Sequence, residues 1–243
     1  MELKVIWKHA RAAALECCDG SIYETENAYR IYLNGEFYRE TKQVVNVLYQ
    51  LEPEKEYCVS VEQGEEKAEI SFCTEAQDYT VNVRDFGARG DGVQDDTLYI
   101  QAAIMACPKD SRVLIPEGVY RITSLFLKDH LTLELAKGAV LSADTQREKF
   151  PILKGTCQNE EKGKEYILGT WEGDACDMFS GIITGIGVKD VTIYGEGIID
   201  GNASWENWWF EAKKIRIAAR PRMIFLKRCE NVQLVGITVQ HSP

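Results

Sequence analysis

Two adjacent acids, Asp95 and Asp96, three widely spaced histidines (His9, His130 and His241) and eight cysteines are the residues whose types could do chemistry in this chain. Paired carboxylates can act as acid and base across one bond, but neighbours on a helix project roughly 100° apart and do not converge. Asp95 and Asp96 are therefore predicted to cap a helix, satisfying free N–H groups at its positive end. The histidines have no HxH or HExxH spacing, so no metal site is predicted. The cysteines (Cys17, Cys18, Cys58, Cys73, Cys107, Cys157, Cys176, Cys229) contain no CxxC pair, and vicinal Cys17-Cys18 suits a disulfide framework badly. They are expected as reduced thiols of a cytoplasmic protein, with an extracellular location as the alternative.

Composition narrows the partners. With 45% hydrophobic and 27% charged residues the chain has the makeup of a folded globular protein. A net charge of -10 argues against nucleic acid, which needs a clustered Lys/Arg excess. It leaves open an anionic sugar, because a local basic cleft can pair with carboxylates on a globally acidic protein. Met1 to Trp7 turns charged at Lys8-His9 without an apolar signal region, and no stretch approaches the roughly 20 apolar residues of a membrane helix.

Two rhythms follow one another along the chain. Residues 1–76 alternate in short runs (3–7, 28–33, 44–48, 57–61, 68–72) with a strong hairpin signal at Asn34-Gly35, which predicts a small antiparallel sandwich. Residues 51–61, with Leu51, Pro53, Tyr57, Val59 and Val61, resemble a stretch of fibronectin type III domains. That resemblance makes Tyr57 a structural corner residue. The polar run 74–78 is expected to link this domain to the next.

From residue 77 to 243 a loose repeat takes over, seen at 129–134, 189–195 and 230–236, each a polar turn and a short strand with apolar residues two apart. Unequal spacing between copies predicts a solenoid with long external loops. Ahead of the repeats, Ile100, Ala103, Ile104 and Cys107 share one face of a helix that Pro108 ends, suited to covering the open end of a solenoid. The expected fold is all-β: a sandwich, then the first turns of a right-handed parallel β-helix with one capping helix.

The residues 83–97, Val83-Arg84-Asp85-Phe86-Gly87 through Asp95-Asp96-Thr97, resemble the opening of pectate-lyase-like β-helix proteins. Gly195-Glu196-Gly197-Ile198-Ile199-Asp200-Gly201 with Trp205, Trp208 and Trp209, then Arg220-Pro221-Arg222, then the strand and Ser242-Pro243 turn, resemble glycoside hydrolase family 28. The resemblance implies a polygalacturonase-type enzyme acting on pectic polysaccharide or oligogalacturonide, with no cofactor. It also implies an inverting mechanism with two carboxyl groups roughly 6.5–9.5 Å apart.

In that family the catalytic N-x-D-G, D-D, G-H-G and R-x-K motifs follow the S-P turn, and no residue here matches them; Asp200-Gly201 has Ile198 where an Asn would stand. No catalytic residue is assigned, and the chain alone is expected to be a fragment without turnover. Arg220 and Arg222 are the leading candidates for pairing with uronate, and Trp171 and Glu172 in a long loop are weaker ones. Trp205, Trp208 and Trp209 are expected mainly to anchor a loop, and Lys213 to Arg216 to form a solvated face. The rivals are a pectate-lyase-like enzyme and a non-catalytic carbohydrate-binding β-helix. Stopping at Pro243 would leave an unpaired strand edge and an uncapped apolar end, which predicts a tendency to associate.

Overall fold

The computed structural model describes residues 2–158, 165–214, 218 and 220–243, and the chain divides into two compact units, Met1–Asp78 and Tyr79–Pro243. Ile215 and Arg216 of the basic run lie outside the described residues, as do the side chains of Cys157 and Trp171. Lys213 and Lys214 are exposed. The other seven cysteines are free thiols.

The first unit has seven strands: β1 (Glu2–Lys8), β2 (Ala13–Cys18), β3 (Glu24–Leu33), β4 (Glu36–Gln43), β5 (Val45–Leu48), β6 (Glu56–Gln63) and β7 (Glu66–Cys73). They form two antiparallel sheets, β1-β2-β5 and β4-β3-β6-β7. Leu15 and Leu48 of one sheet share a core with Tyr29, Ile31, Val59 and Phe72 of the other. Alternation along strands such as β1 and β5 aims one set of side chains inward, and that makes the pair a sandwich. Asn34 (φ 51) and Gly35 (φ 84) turn the β3–β4 hairpin in the left-handed region, as expected. Tyr57 Oη accepts a hydrogen bond from the Glu52 N–H at 2.8 Å, fixing the corner before β6. Strand β2 was not foreseen: it is central in its sheet and nearly continuously buried, so it lacks the alternation that marks a half-exposed strand.

The second unit is a coil of parallel strands. One sheet stacks β8 (Thr80–Asn82), β10 (Arg112–Ile115), β13 (Thr132–Leu135), β16 (Lys189–Gly195) and β19 (Glu230–Val235). A second stacks β9 (Asp91–Asp95), β11 (Gly118–Ile122), β14 (Ala139–Ala143), β17 (Ile198–Asp200) and β20 (Thr238–Gln240). A third holds β12 (Leu125–Phe126), β15 (Ile183–Ile186) and β18 (Ile224–Lys227). The three sheets wind into a right-handed parallel β-helix that starts at Thr80. In-register columns fill its interior: Val113, Leu133 and Ile193 from the first sheet, Tyr120, Leu141 and Ile199 from the second, all fully buried. Burying each such side chain contributes about 1.5–3 kcal/mol relative to exposure.

One rim keeps its pitch with a repeated backbone device. His130, just ahead of β13, and Asp190 and Asn231, the second residues of β16 and β19, all take left-handed φ (55, 54 and 50). Asp190 joins the three, with Oδ2 3.3 Å from His130 Nδ1 and Oδ1 accepting from Asn231 Nδ2 at 2.8 Å.

The single α-helix among the described residues, α1 (Thr97–Ala106), buries Ile100, Ala103 and Ile104 in the coil's core, and Cys107 after it joins them. Its capping differs from expectation. Asp96 is fully buried, but its carboxylate turns back to accept from the N–H groups of Arg89 and Gly90 and from Gln94 Nε2. Asp95 does the capping, accepting from the Thr97 N–H at 3.0 Å and from its hydroxyl at 2.6 Å. The glycine-rich turn before the helix offers Asp96 two N–H groups at once, which outcompetes the helix end.

Candidate functional site

On the outer face of the second sheet the residues between the buried columns form a polar row, Asp95, Arg121, Ser142, Asp200 and Gln240, paired strand to strand. Adjacent strands are roughly 4.8 Å apart, so one residue type per turn builds a continuous stripe along the coil. The row ends at the rim where the second sheet turns into the third. That rim carries the long excursions 144–182 and 201–223, while the other turns between successive β-helix strands from β12 onward take two to five residues.

The excursion 201–223 is basic in an acidic protein. Residues 201–243 hold seven Lys and Arg against three Asp and Glu, whereas residues 1–78 hold eight against sixteen. It starts at Gly201, where a Cβ would fall 2.4 Å from the His241 carbonyl oxygen. Asn202 then ties the loop down, donating from Nδ2 to Ser142 Oγ and to the Ala143 carbonyl, each at 2.8 Å.

The three tryptophans of this loop divide the expected roles. Trp208 is fully buried in an aromatic cluster with Phe150 and Phe179, and Arg147 lies 4.6 Å above its ring. Trp205 is 74% exposed. Trp209 is half-buried, donates from Nε1 to the Ser242 carbonyl at 3.1 Å and supports Arg220, whose Cζ sits 3.7 Å from its ring centroid. Cation–π contact of this kind is worth about 0.5–2 kcal/mol and fixes the guanidinium plane.

Arg220 and Arg222 open onto one cavity of about 460 Å³ that Met223, Val239 and Ser242 also line. Arg220 Nη1 is buried without a hydrogen-bond partner among the described residues. A buried donor left unmet costs about 1–3 kcal/mol, and an incoming carboxylate is the acceptor that suits it best. Arg222 is exposed, with Nη1 3.4 Å from Met178 Sδ.

The two weaker candidates sit elsewhere on the rim. Trp171 pairs with Asp174 in a two-strand hairpin, and Glu172 (φ 50) stands exposed at its turn. No hydrogen bond or ion pair among the described residues joins Glu172 to either arginine.

Two carboxylates at this rim, Asp144 and Asp200, are held in the charged form. Burial alone would raise Asp144, but the Lys149 ammonium at 2.7 Å and the Gln146 N–H outweigh it and hold the group below the usual carboxylate range. Asp200 behaves alike: burial opposes ionisation, and Gln240 Nε2, the Asn202 N–H and His241 together overcome it. Neither group is set up as a proton donor near neutral pH. Among the described residues no three His, Cys, Asp or Glu side chains gather as a cation site.

Sequence reasoning missed the contact between Asp200 and His241, whose Nδ1 lies 2.9 Å from Oδ1 and 3.1 Å from Oδ2. A signal was there. Extending the repeat alignment of 189–195 on 230–236 beyond its glycines sets Asp200 opposite His241, one residue from its observed strand partner Gln240.

A model of the family described as rhamnogalacturonase A/epimerase, pectate lyase-like, matches residues 80–165. An exo-poly-alpha-D-galacturonosidase of Dickeya chrysanthemi is 31% identical over 134 residues, 55% of this chain and 21% of that protein. The plasmin and fibronectin-binding protein A of Streptococcus pneumoniae is 28% identical over 172 residues, 69% of this chain and 22% of that protein. Among solved structures, the family 28 exopolygalacturonase of Yersinia enterocolitica aligns with a TM-score of 0.66 at 22% identity, over 99% of this chain and 55% of that one. The chain thus spans about a fifth of the curated relatives' length and about half of the solved enzyme's.

Proposed function

Because the chain is polygalacturonase-like, of the glycoside hydrolase family 28 kind, we propose that the whole protein hydrolyses galacturonosidic bonds of pectin or oligogalacturonides. In this reading the present residues supply the scaffold and a basic, substrate-side part of the rim. The observation that carries it is Arg220, stacked on Trp209 with a buried unmet donor at the mouth of a cavity shared with Arg222. A uronate carboxylate fits a planar, pre-oriented guanidinium, while a neutral sugar offers it no charge.

Hydrolysis with inversion needs an acid and a base on opposite sides of the bond. Asp144 and Asp200 are both held ionised by close donors, so neither fits the acid, and the pair that does the chemistry is proposed to lie outside these residues. Calorimetric titration of the chain with trigalacturonate tests the reading. Binding that weakens at least tenfold in Arg220→Ala and is absent for a neutral galactose trimer is expected; equal affinity for both sugars overturns it. A reducing-end assay on polygalacturonate should stay at the blank for the chain alone, and release of unsaturated products would instead favour the lyase reading. The Streptococcus relative favours a second reading, a β-helix that binds without hydrolysing. Retained uronide binding with no turnover in any longer form of the protein would select it.

A further inference from the structure

We propose that His241 is a sugar-hydroxyl acceptor of this rim, held in one tautomer by Asp200 as its positioning residue. The inference rests on the uronide-binding reading of the rim and names what else that site reads. Asp200 is only 13% exposed in its side chain and takes hydrogen bonds from the Asn202 N–H and Gln240 Nε2, both at 2.8 Å. An ionised carboxylate can only accept, so the His241 Nδ1 beside it must carry the hydrogen. In the neutral ring the lone pair then belongs to Nε2, on the far side.

The backbone reinforces this placement. His241 has φ 47, a left-handed conformation that costs a non-glycine residue about 1–2 kcal/mol and persists where surrounding contacts over-determine it. Here the His241 carbonyl accepts from the Ala203 N–H at 3.0 Å, and the next carbonyl, of Ser242, accepts from Trp209 Nε1. The ring is 60% exposed and stands one residue from the support of the Arg220–Trp209 stack. A lone pair presented to solvent accepts from hydroxyls, and a carboxylate has no hydrogen to give it. Arg220 and His241 thus read two different groups of one class of ligand, a uronic acid residue: the charge at Arg220, a ring hydroxyl at His241.

The test uses the full chain. Long-range proton–nitrogen NMR of the histidines should find His241 protonated at Nδ1 and bare at Nε2, and Asp200→Asn should abolish that preference. Trigalacturonate should shift the Nε2 resonance, and His241→Ala should weaken binding about three- to tenfold, the worth of one neutral hydrogen bond. His241→Asn, which keeps an acceptor, should recover part of the loss. An Nε2-protonated ring in the unaltered chain overturns the proposal. So does unchanged affinity in His241→Ala while Arg220→Ala still weakens binding, an outcome that leaves the uronide reading standing. No measurable affinity in the unaltered chain overturns both.

Discussion

Lys149 Nζ stands 2.7 Å from Asp144 Oδ2, closing the first turn of the excursion 144–182 onto the end of β14. Asp144 is 7% exposed in its side chain, and its carboxyl is held below the ordinary range despite burial. A depressed folded value means stability that is present above the unfolded carboxyl value, about 3.9, and lost as pH falls through the folded one. Melting temperatures of the chain and of Asp144→Asn should therefore differ at neutral pH by the equivalent of about 1–3 kcal/mol. The two curves should converge below about pH 4. A gap that stays constant down to strongly acid solution would remove the role given to this pair.

Trp205 and Trp208 are three residues apart and should respond oppositely. Trp208→Ala empties a fully buried site between Phe150 and Phe179 and is expected to cost about 3–5 kcal/mol. Trp205→Ala, at a side chain 74% exposed, should change stability by less than about 0.5 kcal/mol. Urea denaturation of both variants decides it.

At Asp190 the backbone and the side chain make separate demands. Asp190→Asn keeps a side chain that tolerates left-handed φ and should be the mildest change. Asp190→Val loses the contacts to His130 and Asn231 and places a branched side chain at φ 54, for a loss of about 2 kcal/mol. Asp190→Gly loses the contacts without the backbone strain and should fall between them. A Val variant as stable as the Gly one would show that the turn relaxes.

Gly201 allows two successive turns of the coil to touch. Gly201→Ala would put a Cβ 2.4 Å from the His241 carbonyl oxygen, so a shift of the backbone is required. The expected destabilisation is about 1–3 kcal/mol, together with weaker uronide binding as His241 moves. A variant with unchanged melting and unchanged affinity would contradict this.

Much of the fold could be read in advance because it repeats. Leu133, Ile193 and Leu234 recur after matching polar turns, and a column of inward apolar residues follows from that alone. Strand β2 escaped because Ala13-Ala14-Leu15 is buried without alternation, and alanine carries little strand preference. Asp96 misled because the sequence marks it as helix-proximal without showing that Gly90 brings two N–H groups within reach. The site was legible by residue type and not by partner: Arg220 is basic in any reading, yet its support, Trp209, lies eleven positions earlier in the chain. Asp200 and His241 are forty-one apart and meet only once the register of β17 on β20 is set.

Two corners of the coil are closed from Leu135 to Ala139, Gly195 to Ile198 and Val235 to Thr238, and again from Ile186 to Lys189 and Lys227 to Glu230, with almost no chain to spare. These tight corners hold the coil together with little chain, while the third carries long loops whose Phe150, Phe179 and Trp208 pack into the core. The stretches outside that packed cluster can be exchanged while every strand keeps its neighbour, so this edge behaves as an interchangeable tool head on a fixed shaft. New sugar preferences can arise on it by loop replacement, with no need to redesign the barrel of stacked residues beneath.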